Sequence, residues 1–153
     1  MITARHRRIA LLVAGCYFME MLDGTITSTA APQIGRALRA PVTEVGLVIT
    51  VYLLTLAVLI PLSGWLTRRL GNRVVFLTAI ALFTLASIGC ALAPNAPLLI
   101  AGRLVQGVGG AFLMANSAAL VTDAFPRREL GRALGVNAMV VGAGLILGPI
   151  LGG

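Results

Sequence analysis

Five apolar runs, at residues 9–31, 45–66, 74–93, 98–122 and 133–153, take up most of this chain. Each approaches or exceeds the roughly 20 residues that an α-helix needs to cross about 30 Å of hydrocarbon. Lipid offers no partner to a backbone N–H or C=O, so segments of this kind close their hydrogen bonds internally as helices. Only 11% of the residues are charged, against about 25% in an average soluble domain. The chain is therefore expected to be all-α, a polytopic bundle of five transmembrane helices. The links between runs, at residues 32–44, 67–73, 94–97 and 123–132, are short and hold proline, glycine or arginine.

The first run has the outline of a secretory signal, with Arg5, His6, Arg7 and Arg8 before it and Ser28-Thr29-Ala30 near its end. It is longer than the usual apolar core of such signals, about 7–15 residues, and it contains Glu20 and Asp23. It reads as an uncleaved first helix.

The net charge of +7 comes from arginine alone among the basic residues, since the chain has no lysine. With two Tyr and one Trp, and with arginines at the ends of apolar runs, the pattern excludes a nucleic-acid surface. It sets topology instead. Arg5, Arg7, Arg8, Arg68, Arg69, Arg73, Arg127, Arg128 and Arg132 lie in the N-terminus and the second and fourth links, whereas the first and third links hold only Arg36 and Arg39. The positive-inside rule then expects a multi-pass protein of the cytoplasmic membrane with its N-terminus in the cytoplasm.

Against this background the acids of the first run stand out. Glu20 and Asp23 are three residues apart, so a helix presents them on one face with Thr27 a turn further on. A carboxylate near the middle of a bilayer costs at least about 2.5 kcal/mol and must face a bundle interior or an aqueous cavity. The expected role is a proton or substrate site. Two acids this close disfavour double ionisation and are expected to titrate as a unit. Arg103, inside the fourth run, is the available counter-charge. Counted from the outer ends of the two runs, Asp23 lies at about 12 Å and Arg103 at about 8 Å, at about 1.5 Å per residue, so they can meet if helices 1 and 4 adjoin. Gln106, Gly110, Met114 and Ser117 continue a polar and small face from Arg103.

The fifth run repeats glycine every four residues at Gly144, Gly148 and Gly152, with Pro149 and Gly153 added. Such spacing lets two helix backbones approach closely, and proline bends a helix. Cys16 and Cys90 have no paired cysteine motif or histidine nearby and are expected to be buried thiols, not a disulfide or metal site. His6, the single histidine, lies in the N-terminal tail, and no nucleophile–base pair or metal set is visible. The expectation is a protein without cofactor or enzymatic activity.

Four of these elements, in order, resemble the major facilitator superfamily, and its 14-helix drug:proton antiporter branch in particular. Leu22-Asp23-Gly24-Thr25 through Ala30-Ala31-Pro32 resembles that branch's helix-1 motif, with Ser28 where Asn is usual; the resemblance implies a proton- or cation-handling Asp23. Leu99, Arg103, Gln106, Gly107, Gly109, Gly110 and Ala111 are similar to the helix-4 motif, which implies a part for Arg103 in proton coupling. Gly144, Gly148, Pro149, Gly152 and Gly153 match the helix-5 antiporter motif, implying a helix shaped for conformational exchange. Gly64, Arg69, Gly71 and Arg73 resemble the gate motif between helices 2 and 3, with Arg68 in place of the family's usual Asp and Asn72 in place of an Arg. Asp123 is the acid that such a gate would use, by pairing with Arg68, Arg69 or Arg73.

The resemblance implies proton-coupled efflux of drugs or of lipophilic or cationic small molecules. Its partners would be protons, a drug-like substrate, the lipid bilayer and further transporter helices. Because the superfamily uses twelve or fourteen helices in two halves with the substrate between them, the chain is expected to be an N-terminal fragment, about helices 1 to 5. A proton-linked uptake carrier for one metabolite, or a membrane fragment that does not transport, are the alternatives.

Overall fold

A computed structural model describes residues 4–152 and the side chains of residues 8–152. Five helices follow one another: α1 (Ala4–Leu38), α2 (Val42–Leu70), α3 (Asn72–Ala91), α4 (Ala96–Ala124) and α5 (Arg127–Gly152). All five are long and apolar enough to cross a membrane. α1, α2 and α4 run beyond their apolar runs at both ends and α5 starts six residues before its run, whereas α3 is no longer than its run.

The largest extension is in α1, which passes through Pro32 and ends at Leu38. Pro32 removes one backbone donor and frees a carbonyl, a change that membrane helices tolerate when hydroxyl side chains and neighbours re-engage the backbone. In the turns before Pro32, hydroxyls bond back to carbonyls of α1 itself. Thr25 donates to the Met21 carbonyl at 2.6 Å, Ser28 to Gly24 and Thr25, and Thr29 to Thr25 at 2.8 Å. The end of α1 is closed by Arg39, whose φ of 50° is left-handed. The Ala40 N–H donates to the Gly35 carbonyl at 3.0 Å and the Arg39 N–H to Arg36 at 3.4 Å, the paired bonds of a Schellman cap.

The other links are equally tight. Gly71, with φ of +85°, is the single residue between α2 and α3, and its N–H closes α2 on the Thr67 carbonyl at 2.9 Å. This backbone conformation strains any residue with a Cβ. Asn95 begins α4 by accepting from the Leu98 N–H at 3.0 Å, with Pro97 in the first turn.

α4 is the axis of the bundle and the most buried of the five helices. α2 and α3 pack along it on two sides, α1 meets it over a shorter length, and α5 packs mainly along α1. The glycines of α4 explain the closeness. A Cβ on Gly107 would stand 2.8 Å from Thr55 Cβ on α2, and one on Gly109 would stand 2.7 Å from the Phe83 nitrogen on α3. Small residues that let backbones approach in this way supply the dispersion contacts that hold membrane helices together. At the arginine-rich end, Val13 of α1, Phe76 and Ala79 of α3, and Leu113, Val121 and Phe125 of α4 form a buried apolar cluster. Outward faces are the reverse of a soluble protein: Leu53, Leu54, Leu85, Met139 and Ile146 are all more than half exposed, as suits lipid or further helices.

Candidate functional site

The arginine inside α4 finds the acid inside α1. Arg103 Nη1 donates to Asp23 Oδ2 at 2.5 Å, and Arg103 Nη2 donates to Thr27 Oγ1. The Arg103 side chain is 7% exposed and that of Asp23 21%. Asp23 and Thr27 can share one guanidinium because a spacing of four places them one above the other on α1. The Arg103 guanidinium also lies over the Tyr52 ring of α2, 5.7 Å from its centroid, within cation–π range. Tyr52 carried no signal in the sequence, being one apolar-looking residue in an apolar run. Its place under Arg103 follows from the approach of α2 to Gly107, where the Tyr52 carbonyl itself lies 3.2 Å from a Cβ position.

Two cavities meet at this cluster, and Thr27 and Arg103 line both. One, of about 270 Å³, lies between α1, α2 and α4 and is bounded by Gly24, Val48 and Tyr52. The other, of about 390 Å³, lies between α1, α3 and α4 and is bounded by Asp23, Ser87 and Cys90. The ion pair thus stands on a partition between spaces that flank α1.

Gln106 is fully buried one turn along α4, but it turns to α3 rather than to the acids. Its Nε2 donates to Ser87 Oγ at 2.8 Å, and its Oε1 accepts a weak contact from the Cys90 thiol at 3.7 Å. Cys90 and Cys16 are free and half-buried, more open than the sequence suggested. The stripe from Arg103 to Ser117 is indeed interior, with Met114 half-buried, yet it serves more than one neighbour.

Glu20 and Asp23 share α1 but not surroundings. Glu20 is 3% exposed and lies against Gly110 of α4, away from Arg103's donors; Glu20 Oε1 and the Tyr52 hydroxyl lie 3.0 and 3.1 Å from where a Gly110 Cβ would stand. The Asp23–Arg103 contact that the depths of the two residues allowed is made, while Glu20, still near Asp23 on α1, lies beside Tyr52 and Gly110 and makes no contact with the arginine.

The glycines of α5 face α1 on its opposite side. Cβ atoms on Gly144 and Gly152 would stand 2.8 Å from Met21 Cβ and 3.0 Å from the Ile26 backbone, and Gly148 lies directly against Thr25. Pro149 is exposed, and Gly153 is outside the described residues, as are the side chains of Arg5, His6 and Arg7. The Asp23 helix is consequently held on one flank by α4 and on the other by the glycine face of α5.

At the arginine-rich end the gate residues are spread out. Arg69 stacks on Trp65, 4.7 Å from the ring centroid, one turn from Gly64; Gly71 makes the turn, and Arg73 is exposed on the first turn of α3. Asp123 is exposed and, among the described residues, forms no ion pair with Arg68, Arg69 or Arg73. Exposed charges at an interface gain little from pairing. A neutral link stands nearby instead. Thr67 Oγ1 of α2 stands 2.7 Å from Asn116 Oδ1 of α4 and 2.8 Å from the Ser63 carbonyl of its own helix, with one proton to share between them, while Asn116 Nδ2 donates to the Phe112 carbonyl.

Residues 13–153 match the family model of the Major Facilitator Superfamily, nearly the whole chain. The chain belongs to the major facilitator superfamily. It is 40% identical over 148 residues to a Haemophilus influenzae protein provisionally named transport protein HsrA, a match that covers 97% of this chain and 32% of that one. It is 39% identical over 142 residues to a Salmonella typhi protein, and 40% identical over 142 residues to a Cronobacter sakazakii protein, both provisionally named multidrug resistance protein MdtD. Those matches cover 93% of this chain and 30% of each relative. The chain spans about a third of the length of these curated relatives. As a member of the superfamily it is a multi-pass membrane protein of a transporter family, and the five helices are those on which the helix-1, helix-4 and helix-5 resemblances fall.

Proposed function

We propose that the chain is the N-terminal part of a proton-coupled antiporter that expels drugs or lipophilic or cationic small molecules across the cytoplasmic membrane. In this reading the N-terminus and the arginine-rich end face the cytoplasm. The observation that carries it is the buried Arg103–Asp23 ion pair, completed by Thr27 and set between two cavities. An intramembrane ion pair stabilises a bundle poorly for what it costs to desolvate, so its use is sought in function.

The chemistry follows from the pair. A proton arriving at Asp23 forms an O–H bond, cancels the carboxylate charge and releases Arg103 from its strongest acceptor. The α1–α4 contact then loses its electrostatic tie, and α1 is free to move with α5, to which the glycine face binds it. Loss of the proton on the other side restores the tie. One charge crossing 100 mV supplies about 2.3 kcal/mol, enough to bias two arrangements of the bundle. The multidrug names of two relatives support a drug-like substrate.

The test is efflux by the complete transporter in energised vesicles. Asp23→Asn and Arg103→Ala are each expected to abolish movement of a fluorescent lipophilic cation driven by a pH gradient. Undiminished gradient-driven efflux in both variants removes these residues from the mechanism. Proton flux in the same direction as substrate would instead make the protein an uptake carrier.

A further inference from the structure

Both carboxyl oxygens of Glu20 are buried and meet no hydrogen-bond donor among the described residues. The surroundings come from three helices. α1 itself brings Cys16 and Tyr17 from the turn before and Asp23 from the turn after. Tyr17 is turned away, its hydroxyl donating to the Met114 carbonyl at 3.4 Å. α2 brings the Tyr52 hydroxyl and Leu56, and α4 brings the bare Cα of Gly110. None of these carries positive charge. Arg103 is already engaged by Asp23 and Thr27.

A carboxylate ion stripped of water and of donors is strongly disfavoured, and such a group takes up a proton instead. The two acids of α1 therefore differ in kind: Arg103 neutralises Asp23, and a proton neutralises Glu20. We infer that Glu20 is a second proton-binding site, distinct from the Asp23–Arg103 pair, which adds one proton to each transport cycle. The inference rests on the coupled-transport reading above and deepens it.

Tyr52 provides the route. Its ring lines the 270 Å³ cavity beneath Arg103, and its hydroxyl stands at the same Gly110 as Glu20 Oε1. In this arrangement Glu20 is 3% exposed. When α2 shifts along α4, water reaches Glu20. The O–H bond then breaks, the proton passes to that water and a carboxylate remains; a hydronium ion from the opposite face later restores the O–H. No other bond changes.

The decisive measurement uses the complete transporter in proteoliposomes, with the membrane potential clamped at zero, a fixed pH difference and ethidium as probe. The ethidium ratio at which net flux stops changes about tenfold per pH unit for each coupled proton. Wild type is expected to hold a ratio about tenfold greater per pH unit than Glu20→Gln. Equal ratios in two proteins that both couple overturn this inference alone. Failure of wild type to build any ratio overturns the coupled-transport reading, and the added proton with it. Infrared spectra keep the question open to test if Glu20→Gln folds poorly. At neutral pH wild type is expected to show the carbonyl band of a protonated carboxylic acid. Gly110→Ala, which removes no titratable group but sets a methyl against both Glu20 and Tyr52, is expected to shift that band. A wild-type spectrum without the band overturns the inference.

Discussion

Asp23 on α1 and Arg103 on α4 stand 80 residues apart in sequence and 2.5 Å apart in the bundle. Arg103 is the more deeply buried partner, so its charge depends on Asp23 more than the reverse. Asp23→Asn keeps the shape and removes that compensation. Breaking one side of a buried pair costs about 3–5 kcal/mol, and the partial exposure of Asp23 puts the loss at the lower end. Thermal unfolding of the purified protein in detergent is expected to show a clearly lower midpoint. The double variant Asp23→Asn/Arg103→Gln is expected to lose less than the two single changes combined. Strict additivity would mean that the pair carries no structural coupling.

Glycines in this bundle divide by what a methyl would meet. At Gly109 it would press on the Phe83 backbone, which cannot rotate away, whereas at Gly142 it would meet nothing within 4 Å. Gly109→Ala is expected to destabilise by about 1–3 kcal/mol through overpacking. Gly142→Ala is expected to be neutral or to stabilise by up to about 1 kcal/mol, because alanine favours helix. Matched unfolding curves read the contrast, and equal midpoints would refute the close α3–α4 approach.

The hydroxyl of Thr67 stands 2.7 Å from Asn116 Oδ1, and Asn116 is 1% exposed. Thr67→Val preserves volume and leaves that oxygen bare. Interhelical hydrogen bonds in membranes average about 0.6 kcal/mol and reach about 1.7. A loss of about 1 kcal/mol is expected, with α2 loosened at the arginine-rich end. Hydrogen exchange of α2 amides near Thr67 is the readout; unchanged exchange would discount the link.

Arg39 adopts a left-handed conformation that a Cβ disfavours. Arg39→Gly is expected to raise stability by about 0.5–1 kcal/mol by relieving the cap. A lower midpoint would show that the arginine side chain contributes more than the backbone strain removes.

Much of the fold was legible because hydrophobic length acts locally. A run of apolar residues must become a helix in lipid whatever its neighbours are. The ends were less legible. Pro32 looked like a terminus, but α1 continues through it to Leu38. In the site, Asp23, Glu20 and Arg103 announced themselves because charge is costly in a bilayer. Tyr52, Ser87 and Asn116 did not, since an uncharged polar residue in an apolar run is common and its partner lies on another helix.

By itself, the sequence determined that this protein crosses the membrane in helices, that its charges inside those helices need one another, and that glycine faces on helices 4 and 5 invite close neighbours. Each follows from the transfer cost of single residues or from spacing along one helix. Only the tertiary structure decided that α1 and α4 adjoin, so that the Asp23–Arg103 contact their depths allowed is made. It also decided that Tyr52 of α2 lies under Arg103 and reaches Gly110 beside Glu20, a placement that follows from the close approach of α2 to Gly107. Side chains three residues apart share a helix face, but the neighbours that set their chemistry come from other parts of the chain.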